Sequence, residues 1–182
     1  MFVGGSHPPN VDALLWFAKE VMPLIVAERP QTKLNIVGSS RVPEIAALES
    51  EEIIIKGRIS DEELNRLYAT AGVAIIPLRF GGGVKGKTIE ALFHAIPLVA
   101  TSVGMQGLYP QKPIAYVADD PESFAKAVIS AQTDRQTAKL HAERGASFIE
   151  EHYSLDAMRR AFLRFIPKLG VREKADATAT AP

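Results

Sequence analysis

The run Val73-Ala-Ile-Ile-Pro-Leu78, Arg79-Phe80, Gly81-Gly82-Gly83-Val84-Lys85-Gly86-Lys87-Thr88-Ile89-Glu90-Ala91-Leu92 passes from an apolar strand through glycines into a helix. Consecutive glycines let a backbone turn sharply and come close to a ligand, because no Cβ stands in the way. A helix that opens just after them aims unpaired N–H groups and the positive end of its dipole at the same place, which makes an anion site. Lys85 and Lys87 add two charges there. Ile89, Leu92, Phe93 and Ile96 fall at helical spacing and are expected to pack on a sheet. Gly86, Lys87, Glu90 and His94 form the neighbouring stripe. A cation near the first turn and a carboxylate one turn later suit a nucleotide, with phosphate on the first and ribose hydroxyls on the second.

Composition sets the bounds around this run. The chain has 182 residues, enough for one domain with a substantial core and short for two. Hydrophobic residues at 47% and charged residues at 23% are ordinary for a globular protein. Lys and Arg number 21, as do Asp and Glu, so no overall field favours nucleic acid or an anionic membrane as partner. There is no cysteine, which removes disulfides, thiolate metal sites and thiol nucleophiles and fits a reducing cytoplasm. The longest apolar stretch, Val11 to Ala27, carries Asp12, Lys19, Glu20 and Pro23 and cannot span a bilayer. No basic and apolar leader opens the chain; a strand begins at Phe2, as it would in the second half of something longer.

In chain order, Phe2-Val3-Gly4 is expected as a strand, followed by a helix from an N-cap at Asn10 to about Glu28. Trp16 is read as a packing residue at that helix's edge. Leu34–Val37 and Glu52–Lys56 are read as strands, with a short helix over Pro43–Leu48 between them. Ser60 and Glu63 form a capping box for a helix that buries Leu64, Leu67, Tyr68 and Ala71. After the glycine-lysine loop and its helix come strands at Pro97–Thr101 and Ile114–Val117. Helices are expected from about Glu122 to Ala131, from Asp134 (capped by Thr133) to Glu151, and from Ser154 to Phe165. Asp119 and Asp120 are read as caps, and Val171 to Pro182 as a disordered tail after a single domain over 1–170.

Strands and helices alternating at this spacing demand a parallel sheet with helices on both faces. Right-handed crossovers make a doubly wound, Rossmann-like α/β sheet of about six strands the simplest answer. Such sheets bind ligands beyond the carboxyl ends of their strands. The loops there are Gly4–His7, Gly38–Ser40, Gly57–Ile59, Arg79–Gly83, Thr101–Gly107 and the segment after Val117.

Three patterns compete for the glycine loop. Gly81 to Thr88 fits the P-loop spacing G-x4-G-K-[ST], with Lys87 on phosphates and Thr88 on magnesium. Yet three βα units come before it, whereas a P-loop normally opens its domain. Gly81, Gly83 and Gly86 also fit G-x-G-x-x-G, but the next strand ends Ala100-Thr101-Ser102, without the acid that a nicotinamide fold needs.

The third reading uses more of the chain. Phe2-Val-Gly-Gly, Asn10-Val-Asp-Ala-Leu-Leu-Trp16-Phe, Leu34-Asn-Ile-Val-Gly38, Ile55-Lys-Gly57-Arg-Ile59, Leu67-Tyr68, Val73-Ala-Ile-Ile-Pro77-Leu, Gly83-Val-Lys-Gly-Lys-Thr-Ile-Glu90-Ala91-Leu and Ile96-Pro97-Leu-Val-Ala-Thr101 follow in order. Over about residues 2 to 165 the chain resembles the carboxyl-terminal domain of group 1 (family 4) GT-B glycosyltransferases. The resemblance implies that this half binds a nucleotide-sugar donor, with Glu90 holding the ribose hydroxyls. It puts Gly81, Gly82 and Gly83, with Thr88, under the sugar and diphosphate, and Gly57-Arg58-Ile59 near the base. The family's paired glutamates stand eight apart, but Gly82 occupies the place eight before Glu90, and Gly5-Ser6-His7 stands where an Arg and a Lys are usual. Lys85 and Lys87 are read as replacements for those phosphate-binding cations.

The resemblance further implies transfer with retention, without metal or cofactor, in glycan or cell-surface polysaccharide synthesis. The acceptor site belongs to a missing amino-terminal Rossmann-like domain. This chain alone is then expected to bind donor and turn over little. The last helix resembles the element that crosses back to that domain, leaving Met158, Phe162 and Phe165 partly exposed. A cytoplasmic protein is expected, with the full-length enzyme able to sit at the inner membrane face. A P-loop NTPase and a non-catalytic nucleotide-sugar module are the alternatives. His94 is read as a structural edge residue, and His7 as lying at the rim of the site.

Overall fold

The structure, a computed structural model, describes residues 1–38 and 42–165. The proposed tail over 171–182, and Ser39 and Ser40 of the second loop, lie outside the described residues. The first strand is β1 (Phe2–Val3), followed by α1 (Pro8–Trp16), a π-helical turn (Phe17–Val21) and α2 (Met22–Glu28). Then come β2 (Leu34–Val37), α3 (Pro43–Ala46), β3 (Ile53–Gly57), α4 (Asp61–Thr70) and β4 (Ala74–Ile76). The second half holds α5 (Gly86–Phe93), β5 (Leu98–Ala100), β6 (Tyr116–Val117), α6 (Pro121–Thr133), α7 (Arg135–Tyr153) and α8 (Leu155–Phe165).

All pairings are parallel, in two three-stranded ladders, β1-β2-β3 and β4-β5-β6. Phe2 stands opposite Ile36, and Ala74 opposite Leu98. Met1 joins the ladders: its nitrogen donates to the Val73 carbonyl at 2.6 Å, and its carbonyl accepts from the Ile75 N–H at 2.9 Å. The strands therefore lie side by side in the order 3-2-1-4-5-6, the order of a doubly wound sheet.

Successive strand residues point to opposite faces, and here both faces are buried, as a parallel sheet requires. Phe2, Ile36, Ile75 and Val99 enter one core with Leu14, Phe17, Ile25, Phe124 and Val128. Ala74, Ile76, Leu98 and Ala100 enter the other with Tyr68, Ala91, Leu92 and Ile149. Trp16 is buried edge-on to Phe124 at 5.6 Å between ring centres, as its reading as a packing residue required.

Several local expectations are corrected. Asn10 is not the N-cap. His7 takes that place, Pro8 and Pro9 fill the opening turn, and the Asn10 N–H donates to the His7 carbonyl at 2.9 Å. The helix expected to run evenly to Glu28 widens at Phe17–Val21, where the Met22 N–H reaches back to the Phe17 carbonyl. Pro23 is the physical reason: it brings no N–H, and its ring would strike the carbonyl four residues earlier in an ordinary helix. Phe93 is 67% exposed, because α5 meets the sheet through Thr88, Ala91 and Leu92 instead. Ser60 does accept from the Glu63 N–H at 3.2 Å, while the Glu63 carboxylate pairs with Lys56 at 3.9 Å. Asp134, rather than Thr133, caps α7 by accepting from the Thr137 N–H at 3.0 Å.

Candidate functional site

Strand order reverses between β1 and β4, so the crevice beyond their carboxyl ends is where a sheet of this order takes its ligand. Two loops meet there, Gly4–His7 after β1 and Arg79–Lys85 after β4. Gly81 and Gly83 have φ of +120° and +73°, backbone angles that side chains with a Cβ avoid. A Cβ added at Gly82, Gly83 or Gly86 would meet nothing within 4 Å, so this stretch of backbone faces open space.

The two lysines behave differently. Lys85 curls back over its own loop, and its ammonium donates to the Gly83 carbonyl at 2.6 Å, the Gly81 carbonyl at 3.2 Å and Gln106 Oε1 at 3.2 Å. It braces the loop and ties it to the segment after β5. Lys87 instead reaches across the crevice to β1. Its Nζ lies 4.4 Å from the centre of the Phe2 ring and donates to Asn10 Oδ1. Asn10 in turn donates from Nδ2 to the Gly5 carbonyl at 2.8 Å. A Cβ at Gly4 would lie 2.8 Å from both Lys87 Nζ and Asn10 Nδ2, so the ammonium sits tight against this loop. Burial pushes the Lys87 pKa down from 10.5 to about 8, which leaves it charged near neutral pH.

On the far side of the β1 loop a hollow of about 540 Å³ is lined by Val3, Gly4, Gly5, Ser6, Val37, Gly38 and Arg58. Gly57, at φ +66°, accepts the Gly38 N–H on its carbonyl at 2.8 Å and so aligns the loops after β2 and β3. Glu90 lies elsewhere. It lines a groove of about 610 Å³ between α5 and α7, together with Ile89, Phe93, Ile149 and Tyr153. Tyr68 of α4 is also within reach of its charge: burial first, and Glu90 second, hold the Tyr68 hydroxyl well above its ordinary range. Arg58 and the β1 loop thus line one hollow, Lys87 rests against the β1 loop, and Glu90 lies in the separate groove between α5 and α7. His7 is exposed, at the N-cap of α1. His94 stacks on Tyr68 at 4.2 Å, an edge residue as expected.

Residues 1–134 match the profile of the family described as glycosyl transferases group 1. The chain belongs to that family. An uncharacterized 44.6 kDa protein in the cps region of Klebsiella pneumoniae is 32% identical over 162 residues, 84% of this chain and 42% of that one. A GDP-mannose-dependent monoacylated alpha-(1-6)-phosphatidylinositol monomannoside mannosyltransferase of Corynebacterium glutamicum is 24% identical over 151 residues, 76% of this chain and 40% of that one. The chain thus spans about two-fifths of the length of these curated relatives. Among solved structures, HepE of Anabaena in complex with UDP-glucose superposes with a TM-score of 0.71 at 13% identity, over 92% of this chain and 48% of that one. The shared fold is that of GT-B glycosyltransferases.

In this member of the group 1 family, Thr88 of the P-loop alternative is engaged in other work. Thr88 is fully buried and its hydroxyl donates to the Gly104 carbonyl at 2.8 Å. Its side chain faces the protein interior. Asp119 accepts from the Ser102 N–H at 2.8 Å and the Ser102 hydroxyl at 2.6 Å, so it pins the loop after β5. Asp120 caps α6 through the Ser123 N–H at 2.9 Å. Sequence reasoning missed Asn10, which it had spent as a cap, and the pairing of Asp12 with Arg79. Nothing in the spacing of positions 10 and 87 shows that they meet. Among the described residues no helix is long and apolar enough to cross a membrane.

Proposed function

We propose that this chain is the donor-binding half of a glycosyltransferase that carries a sugar from a nucleotide diphosphate to an acceptor, with retention. The observation that carries this reading is Lys87, a half-buried ammonium held against the β1 loop where strand order reverses. It occupies the region where the family's phosphate-binding cations would otherwise follow β1. The Lys87 charge, the N–H groups of the glycine loop and the opening of α5 together meet the diphosphate and stabilise it as it departs. Glu90 accepts the ribose hydroxyls. Gly57 and Arg58 border the base, and Lys85 shapes Gly81–Gly83 beneath the sugar. Neither a cofactor nor a metal has a part in this scheme.

HepE binding UDP-glucose and the mannosyltransferase using GDP-mannose support a nucleotide-sugar donor. The acceptor site belongs to an amino-terminal Rossmann-like domain. α8 faces that domain with Met158 and Phe162, which are 55% and 64% exposed. Such an enzyme would work from the cytoplasm on cell-surface glycans.

Thermal shift without magnesium tests the proposal. UDP, GDP or their sugars are expected to raise the melting temperature. Lys87→Ala and Glu90→Ala should each weaken binding about tenfold, the loss expected for one charge-assisted hydrogen bond. Stabilisation by ATP or GTP with magnesium alone would overturn the reading.

A further inference from the structure

The opening turn of α1 touches the glycine loop at three places. Pro9 lies beside Gly81, where an added methyl would meet its ring carbons at 3.8 and 3.9 Å. Asn10 holds Lys87. Asp12 takes Arg79 in a two-pronged grip: Arg79 Nε donates to Oδ2 at 2.9 Å, and a terminal nitrogen of the same guanidinium donates to Oδ1. The guanidinium carbon also lies 6.0 Å from the centre of the Trp16 ring, which is anchored edge-on against Phe124. One helical turn thus meets residues 79 and 81 of the loop and residue 87 just beyond it, in the first turn of α5.

An exposed ion pair usually adds little to stability. This one is bidentate and flanked by an indole, so it fixes direction as well as distance. Neither partner fills the core: their side chains are 27% and 46% exposed. What the pair does is restrict three glycines that would otherwise sample many conformations. A loop already held in its bound shape loses less entropy when a ligand arrives.

We infer that Asp12 and Arg79 are positioning residues for the diphosphate site: they pin the start of the glycine loop to α1, so that its N–H groups and the Lys87 ammonium converge on one ligand. The inference rests on the donor-site reading above, and two measurements on the 182-residue chain separate the claims. Hydrogen exchange of the amides of residues 82–86, without ligand, reads the positioning. Calorimetric titration with UDP, GDP and UMP reads its consequence.

Asp12→Asn, Arg79→Gln and the double variant are expected to speed exchange of those amides with little change in melting temperature. Each should weaken UDP or GDP about tenfold, and UMP less, with the double variant no worse than either single one, because both remove the same interaction. Unchanged exchange overturns the inference, as do additive losses or unchanged diphosphate affinity in a chain whose wild type binds. If the wild type binds no nucleotide diphosphate while exchange accelerates as expected, the donor reading falls and the positioning of the loop stands.

Discussion

Lys87 places two functions in opposition. Its pKa is lower in the folded chain, about 8, than the ordinary 10.5. The unfolded chain therefore holds this proton more tightly, and stability rises as pH climbs between those values. Binding an anion needs the proton, so affinity for a nucleotide diphosphate should fall as pH passes 8. Urea denaturation and UDP titration across pH 7 to 10 are expected to move in opposite directions, and Lys87→Arg should remove the fall in affinity. Parallel trends would contradict the assignment. The glycine loop between strand and helix, with its two lysines, was legible from residue type and spacing alone. That Lys87 faces the crevice while Lys85 bends back on its own loop was not, because it depends on Asn10 and Gln106, which are far away in sequence.

At the scale of the element, α5 ends in an unusual way. Ala95 has φ +51°, the left-handed value that glycine normally supplies, and the Ile96 N–H closes the end by reaching the Ala91 carbonyl. Left-handed geometry costs a residue with a Cβ about 1–2 kcal/mol, part of which glycine gives back through greater freedom in the unfolded chain. Ala95→Gly is therefore expected to stabilise the fold by about 1 kcal/mol, a rise of about 2–4 °C in the melting temperature of a chain this size. A lower melting temperature would show that the methyl contributes packing that outweighs the strain. Helix existence and order were readable from apolar period and caps. The π-helical turn was not, because Pro23 breaks the hydrogen-bond ladder without interrupting the apolar pattern that marks the helix.

For the whole molecule, the doubly wound class followed from strands and helices in alternation. The neighbour order did not, because strands buried on both faces carry no mark of which strand lies beside them. That order matters most, since it puts the β1 and β4 loops side by side. The core beneath it is anchored by Phe124, which is fully buried and edge-on to both Trp16 and Phe17. Phe124→Ala should cost about 3–5 kcal/mol in urea denaturation, with loss of the Arg79 grip over Trp16. A cost below 1 kcal/mol would mean that α6 is not part of the cooperative unit.

If the Lys87 ammonium grips a diphosphate, binding at a pH near its pKa of about 8 draws a proton from solution. Calorimetric titration with UDP or GDP at pH 8, in two buffers of different ionisation enthalpy, reads the number of protons taken up. A bound diphosphate should raise the Lys87 pKa, so the wild type is predicted to take up a substantial fraction of a proton and Lys87→Arg to bind without that uptake. Equal uptake by the two, or no binding by the wild type, would contradict the account.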